Sequence, residues 1–393
     1  MGRYNAGGMT RKNTPLLILI ATAVVCPPGA SHSVAQAPAA PAPLAPVWEI
    51  PVPDTSTPFV TGIEGGFAVA TRSGRIAAYT TSGGAPRWQV ELGSSLSIAP
   101  VSSAGRLAVA AGTGAQRELI LIDVSSGATV SRHALPGDSA LFVSAIPSGF
   151  AVASSEGSVT LIDAATGAAR WSSRTAAPPS AAASLCGDSL LVGGADGTLM
   201  AFGDKDGAAL WHKSIGERIT TRVTCELPRA YVGSADNRLH ALKLRRRGFR
   251  ERWSYPTGGD ISGAPLIFGD KLLFFSFDTY LYALESGEGH LAWKARMGRR
   301  PRPEGLVVKD ILVVAPLDTE RLDAFRLPDG SQAGSLVLDA ARERFVTPPA
   351  SAGGVVAIAA SVYGEEGARV LGLDLSTLTR GGTQETGRGS PGI

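Results

Sequence analysis

The residue types that most often carry chemistry are sparse in this 393-residue chain, and their spacing joins few of them. His133, His212, His240 and His290 stand far apart, with none of the spacings that place two imidazoles on one metal ion. Asp204-Lys205-Asp206-Gly207 has the opening of a calcium loop but not its remaining oxygen ligands. Cys186 and Cys225 are not adjacent, and nothing marks out a Ser/His/Asp arrangement or a working pair of carboxylates. The densest charge is basic, in Arg245-Arg246-Arg247-Gly248-Phe249-Arg250 and Arg299-Arg300-Pro301-Arg302. Such runs form a solvated face or, as the alternative, a docking site for an acidic partner. The expectation is therefore a chain with no catalytic residue, no metal site and no bound cofactor.

Whatever work these residues do, repeated elements must position them. Leu161 to Trp171 reads L-I-D-A-A-T-G-A-A-R-W, an apolar run, a Gly-containing turn and a return strand ending in tryptophan. Counted from each tryptophan, the segments after Trp171 and Trp253 overlay without gaps: Gly187-Asp188 falls on Gly269-Asp270, Ala201 on Ala283 and Gly207 on Gly289. The segment from Trp48 to Trp88 fits the same ruler and puts Gly84 on the Gly207 position. Ser131 and Gly334 occupy two slots that have lost the tryptophan. The slots 48, 88, 131, 171, 211, 253, 293 and 334 are separated by 40, 43, 40, 40, 42, 40 and 41 residues, a period of propellers and solenoids.

Each unit reads as four short strands. After Trp253 these are 261–268, 271–277, 280–284 and 290–294, separated by Gly/Asp turns. Gly and Pro total 48 and 26, which argues against helices. The expected fold class is all-β, an eight-bladed β-propeller of four-stranded antiparallel blades, with seven blades as the alternative. Closure comes from the ends: the last unit provides strands near 345–350, 354–360 and 368–374 but no return strand, while Val47-Trp48-Glu49-Ile50 is a return strand with nothing before it. The N-terminal strand should complete the last blade and remove an open edge.

The segments 161–171 and 283–293 (A-L-E-S-G-E-G-H-L-A-W) resemble the tryptophan-docking motif, A-x-D-x-x-T-G-x-x-x-W, of the pyrroloquinoline-quinone-type propeller repeat family, over roughly 47–379. The resemblance implies that Trp48, Trp88, Trp171, Trp211, Trp253 and Trp293 dock between neighbouring blades. Gly84, Gly127, Gly167, Gly207, Gly289 and Gly330 would be the turn glycines of those docking motifs. The family contains quinoprotein alcohol dehydrogenases and also non-enzymatic propellers, among them the propeller subunit of the outer-membrane β-barrel assembly machinery. The dehydrogenases carry adjacent cysteines over the quinone, calcium ligands, a catalytic Asp and long insertions. Neither a Cys-Cys pair nor such insertions stand in this sequence.

Residues 1–35 read as a signal peptide, with Arg11-Lys12, the apolar run Leu16 to Cys26 and small residues at Ser33-Val34-Ala35. A lipid anchor at Cys26 is disfavoured by Val25 before it and Pro27-Pro28 after it. Residues 36–46 read as a Pro/Ala linker unable to pack a core, 47–379 as the propeller and 380–393 as a disordered tail. Removing 1–35 takes away Arg3, Arg11 and Lys12 and no acid, so 37 basic against 34 acidic residues becomes 34 against 34. A neutral mature chain gives no general attraction to nucleic acid. Cys186 and Cys225 sit 15 and 14 residues after their tryptophans, so strand alternation points them to opposite sides of their blades. A disulfide is thus disfavoured, and both are expected as small buried apolar groups. The functional expectation is an exported scaffold for protein partners, periplasmic or envelope-associated, with outer-membrane assembly as the setting the resemblance suggests. Its alternatives are a quinone-dependent dehydrogenase and a ligand-binding or sensory propeller.

Overall fold

The computed structural model describes residues 42–54, 56–135, 137, 139–297, 305–316, 319–362 and 367–379. Residues 1–41, with Cys26, and 380–393 lie outside them, as does the run 299–302. Strands meet in eight antiparallel sheets that follow the sequence period: blade 1 over 59–91, blade 2 over 101–134, blade 3 over 141–174 and blade 4 over 184–214. Blades 5 to 8 span 224–256, 261–296, 306–337 and 343–374. Within the unit used above, the strands are Ile261–Phe268, Lys271–Ser276, Tyr280–Glu285 and Leu291–Arg296. First strands of successive blades touch one another from blade 7 through blades 8 and 1 to blade 6, so these strands line the inside of the ring.

The core lies between the blades. The middle strands of each sheet are apolar on both faces because each face meets a different neighbour. In blade 4, Leu190 and Val192 pack with Leu161 and Trp171 of blade 3, while Leu191 between them packs with Ile219 and Val232 of blade 5. The same alternation gives one apolar cluster at each of the eight seams, including the seam where blade 8 meets blade 1. Innermost strands share no ladder, and side-chain hydroxyls bridge them instead. Thr61 donates to Pro100 O at 2.9 Å, Ser103 to Ile146 O at 2.6 Å, Ser144 to Ala183 O at 2.8 Å, Ser184 to Val223 O at 2.6 Å and Thr224 to Pro265 O at 2.5 Å. Each hydroxyl satisfies a carbonyl of the next blade, so blades 1 to 6 are tied in sequence around the ring.

One seam is also tied covalently. Cys186 and Cys225 form a disulfide across blades 4 and 5, with Cα atoms 5.8 Å apart, which corrects the expectation of two free cysteines. Strand alternation does put the two side chains on opposite sides of their blades. In a ring, however, opposite sides of two successive blades are the sides that face each other. Cys186 lies on the blade 4 side turned toward blade 5, and Cys225 on the blade 5 side turned toward blade 4.

Pro46–Val52 pairs antiparallel with Ala368–Asp374, with Trp48 opposite Gly372 and Ile50 opposite Val370. This makes the eighth blade from both ends of the chain. Two features depart from expectation. The described end of the Pro/Ala segment packs: Ala42–Pro43 runs parallel to Gly334 and Ser335, the Leu44 amide donates to Ser335 O at 2.8 Å, and Leu44 is 6% exposed. The first strand of blade 8 is split into Glu343–Phe345 and Ala350–Ala352, because Pro348-Pro349 cannot donate to a ladder. Thr347 fills part of the gap, its hydroxyl accepting from the Ala359 amide at 2.9 Å.

Candidate functional site

The docking slots are built from two local devices. The first is the turn before each slot: the Asp163 carboxylate accepts from the amides of Ala165 and Thr166 at 3.0 and 2.9 Å, and Gly167 closes the turn at φ +70°. The second is a β-bulge in the return strand, where Trp171 pairs with Leu161 and Ala169 with Ile162, leaving Arg170 unpaired in the ladder. Bulges at the equivalent places push Val47, Val130 and Leu210 outward, which accounts for their exposure on the rim.

Five of the six indoles reach across their seams to the turn of the next blade. Nε1 of Trp48 donates to Thr81 O at 2.8 Å, Trp88 to Val124 O at 2.7 Å, Trp171 to Asp204 O at 2.8 Å, Trp253 to Gly287 O at 3.1 Å and Trp293 to Leu327 O at 3.1 Å. The turn glycines leave room for the rings. A Cβ on Gly127 would lie 2.8 Å from Trp88, on Gly289 2.6 Å from Trp253 and on Gly330 2.5 Å from Trp293, and on Gly207 it would overlap Trp171. Two assignments change. Gly83, not Gly84, meets Trp48, and a Cβ on Gly84 would touch nothing. Trp211 meets a ring instead of a glycine: Phe249 stands edge-on to it, with centroids 6.1 Å apart. Where the tryptophan is lost, Ser131 fills the space before Gly167, and Leu44, Leu375 and Leu378 pack in the seam beyond Gly334. The hydroxyl ties and Phe249 were not singled out from sequence. Ser144, Ser184 and Thr224 nevertheless each stand 13 residues after a slot, so the same ruler would have found them.

Polar groups recur at one position of the third strand. Tyr282, His240 and Asp323 occupy it in blades 6, 5 and 7. Tyr282 donates to Asp278 Oδ2 at 2.7 Å, and burial, with that carboxylate second, pushes its phenol up from the ordinary value. His240, 4% exposed, has Nε2 2.9 Å from Asp236 and Nδ1 3.2 Å from Glu251. Burial raises the Asp323 carboxyl against the opposing pull of Arg321 and Gln332, each 2.7 Å from it. These groups are partnered within their own blades and do not converge on a shared reacting atom. Among the described residues, no three His, Cys, Asp or Glu side chains are grouped to hold a metal ion. Asp206 of the suspected calcium loop accepts from the Ala208 amide at 3.0 Å, and the Asp204 carbonyl receives Trp171, so this segment is a docking turn.

The surface offers clefts at the seams. One of about 470 Å³, beside the disulfide, is lined by Leu191, Trp211, Leu227, Arg245 and Arg246. Another of about 390 Å³, between blades 5 and 6, has Arg229, Lys243 and Arg252 around Trp253. A third, of about 470 Å³, flanks the closing strand, where Arg369 bridges Glu49, at 2.9 Å, and Glu343. No helix among the described residues is long and apolar enough to cross a membrane.

The same architecture occurs in proteins of known structure. The chain is similar in structure to BamB from Moraxella catarrhalis, at 17% identity and TM-score 0.65, over 84% of this chain and 99% of that one. It is also similar to the computationally designed Ika8 protein, at 13% identity and TM-score 0.66, over 84% and 99%. Saccharomyces cerevisiae Sqt1 matches at 11% identity and TM-score 0.66, over 84% and 100%. At such identities these likenesses concern the fold. No curated protein matches the sequence. The sequence profile described as outer membrane protein assembly factor BamB matches residues 45–189, 155–248 and 195–375. Those spans run from the closing strand through the last strand of blade 8, so the chain belongs to this family of PQQ-like propeller repeats.

Proposed function

We propose that the chain is an exported, non-catalytic propeller that holds protein partners together in the cell envelope during assembly of outer-membrane proteins. The observation that carries this reading is the family match over residues 45–375. The disulfide between Cys186 and Cys225 supports export, since such bonds form and persist in oxidising compartments. The quinone-dependent alternative needs adjacent cysteines over its cofactor. Here the two cysteines are bonded to each other across a seam, 39 residues apart in sequence, and neither is free for that role.

The test uses the mature protein as bait in detergent-solubilised envelope, with cross-linking and mass spectrometry. Enrichment of the components that fold outer-membrane β-barrels is expected. Recovery no greater than with an unrelated propeller would reject the reading. Reconstitution with quinone and calcium should give no reduction of dye by alcohols or aldose sugars, and reduction above the blank would favour the dehydrogenase.

A further inference from the structure

Blade 5 carries an outer hairpin that outgrows those of its neighbours. Its strands Arg238–Arg245 and Gly248–Pro256 are 8 and 9 residues long, whereas the corresponding four strands of blades 4 and 6 have 6 each. The turn end of this hairpin is rich in cations. Lys243, Arg245, Arg246, Arg247, Arg250 and Arg252 are all exposed, and none of them forms an ion pair with a described residue. The one acid between them, Glu251, faces His240. In a mature chain with equal numbers of acids and bases, this is a local excess that the protein leaves uncompensated.

The hairpin is held stiffly close to its turn, where Leu244 pairs with Phe249. Phe249 is buried against Trp211, Lys213 lies 4.8 Å over the Phe249 ring and donates to its carbonyl at 3.0 Å, and the Leu244 amide donates to Pro228 O at 2.8 Å. The disulfide belongs to the same seam, and Cys186 lines the cleft into which Arg245 and Arg246 project. A preorganised cationic surface loses little freedom on binding. Both flanking clefts have apolar walls: Leu227, 57% exposed, faces the first, and Trp253 the second. Asp188 and Glu288 are the acids beside them, outnumbered in each cleft by arginine and lysine.

The geometry points to this hairpin as the docking site for an extended segment of a protein partner in which carboxylates alternate with apolar side chains. In an extended strand alternate side chains point to opposite sides, so one side can meet the guanidinium groups while the other enters an apolar cleft. Guanidinium forks match carboxylates in two-point contact. A membrane surface would meet the arginines but leave the narrow clefts beside them unfilled. The inference rests on the scaffold reading and deepens it by naming the face and the chemistry of the partner.

Binding is measured by fluorescence anisotropy on the oxidised mature protein. The probe is a labelled peptide of about a dozen residues alternating glutamate and leucine, broken by serines for solubility. Its lysine counterpart and phosphatidylglycerol vesicles are run in parallel. Saturable binding of the acidic peptide is expected, weakened about tenfold by reversing Arg245→Glu, Arg246→Glu and Arg247→Glu together and weakened by added salt. Arg174→Glu, in another blade, should leave it unchanged. Circular dichroism and the intact disulfide show whether the triple variant folds. If it does not, Leu227→Ser, which removes only the apolar wall, must weaken the peptide severalfold. Equal binding by wild type and folded triple variant overturns the proposal, and so does binding of vesicles without binding of peptide. Envelope capture separates the two readings. Partners captured equally by wild type and triple variant reject the hairpin and keep the scaffold, whereas peptide binding with no envelope partner rejects the scaffold and keeps the hairpin.

Discussion

Cys186 and Cys225 close a loop of 39 residues between the innermost strands of two blades. A cross-link of that span restricts the unfolded chain, and losing it should cost about 2–5 kcal/mol. Chemical denaturation with and without reductant, or of Cys225→Ser, checks this; a midpoint indifferent to the bond would show that the seam needs no staple. At the turns, the Ser125 hydroxyl holds the Asp123 carboxyl down to about 2, against burial, with Ser126 adding to the effect. A carboxyl depressed below its unfolded value near 3.9 contributes stability above that value and loses it as pH falls toward the folded value. The melting temperature should therefore drop between about pH 4 and pH 2, and Asp123→Asn should lower it at pH 7 while flattening that drop. An unchanged acid profile in the Asp123→Asn variant would assign the loss to other groups. Individual partners of this kind were hard to read in advance. His240 shows why, since its carboxylates come from the preceding turn and the next strand and meet only when the hairpin is formed.

The docking unit is the element that repeats, and its energetics follow from the seam it closes. Trp171 is buried among Leu161, Val192 and Phe202 and donates to Asp204 O. Trp171→Ala removes a large ring from a packed seam and should cost about 3–5 kcal/mol in denaturant titration. Trp253, which leaves part of its ring at the surface, should cost less than Trp171. An unchanged midpoint for both would contradict docking. The glycine register was legible to within one residue: Gly127, Gly167, Gly207, Gly289 and Gly330 face their slots, but the turn of blade 1 puts Gly83 there. In that blade Thr80 pairs directly with Gly83, a shorter turn that displaces the contact by one position. Phe249 was hidden because two inserted residues remove the glycine from its usual distance to the tryptophan, and an aromatic edge replaces backbone as the surface Trp211 packs on.

The ring as a whole depends on a join between chain ends. Pro46–Val52 supplies the outer strand of blade 8 and buries Ile50 and Val52 against blade 1. Deleting 47–53 removes that ladder, the Trp48 dock and the Arg369 to Glu49 pair, and should cost at least about 5 kcal/mol from the apolar burial alone. Deleting 381–393 leaves all of these contacts in place, and its melting curve should overlay that of the full chain. Equal destabilisation by the two truncations, or a larger effect from the C-terminal one, would contradict closure by the N-terminal strand. Residues 42–44 should add a smaller increment, because Leu44 packs in the seam where Gly334 replaces a tryptophan.

The period, the blade count, the four-strand unit and the closing strand were all legible in the chain itself. Each depends on local signals that recur: Gly-bearing turns, short apolar strands and a tryptophan every forty or so residues. What tertiary structure decided is which repeated positions meet. Cys186 and Cys225 carry opposite phases on separate strands, and only closing the blades into a ring turns those opposite sides toward each other. The Pro/Ala segment has no pattern of its own, and finds a place at 42–44 because blade 7 leaves an edge open beside a vacant slot. The arginines of blade 5 are a charge run in sequence. They become a stiff hairpin between two apolar clefts because Phe249 anchors them to a tryptophan of the preceding blade, a contact that no local spacing encodes.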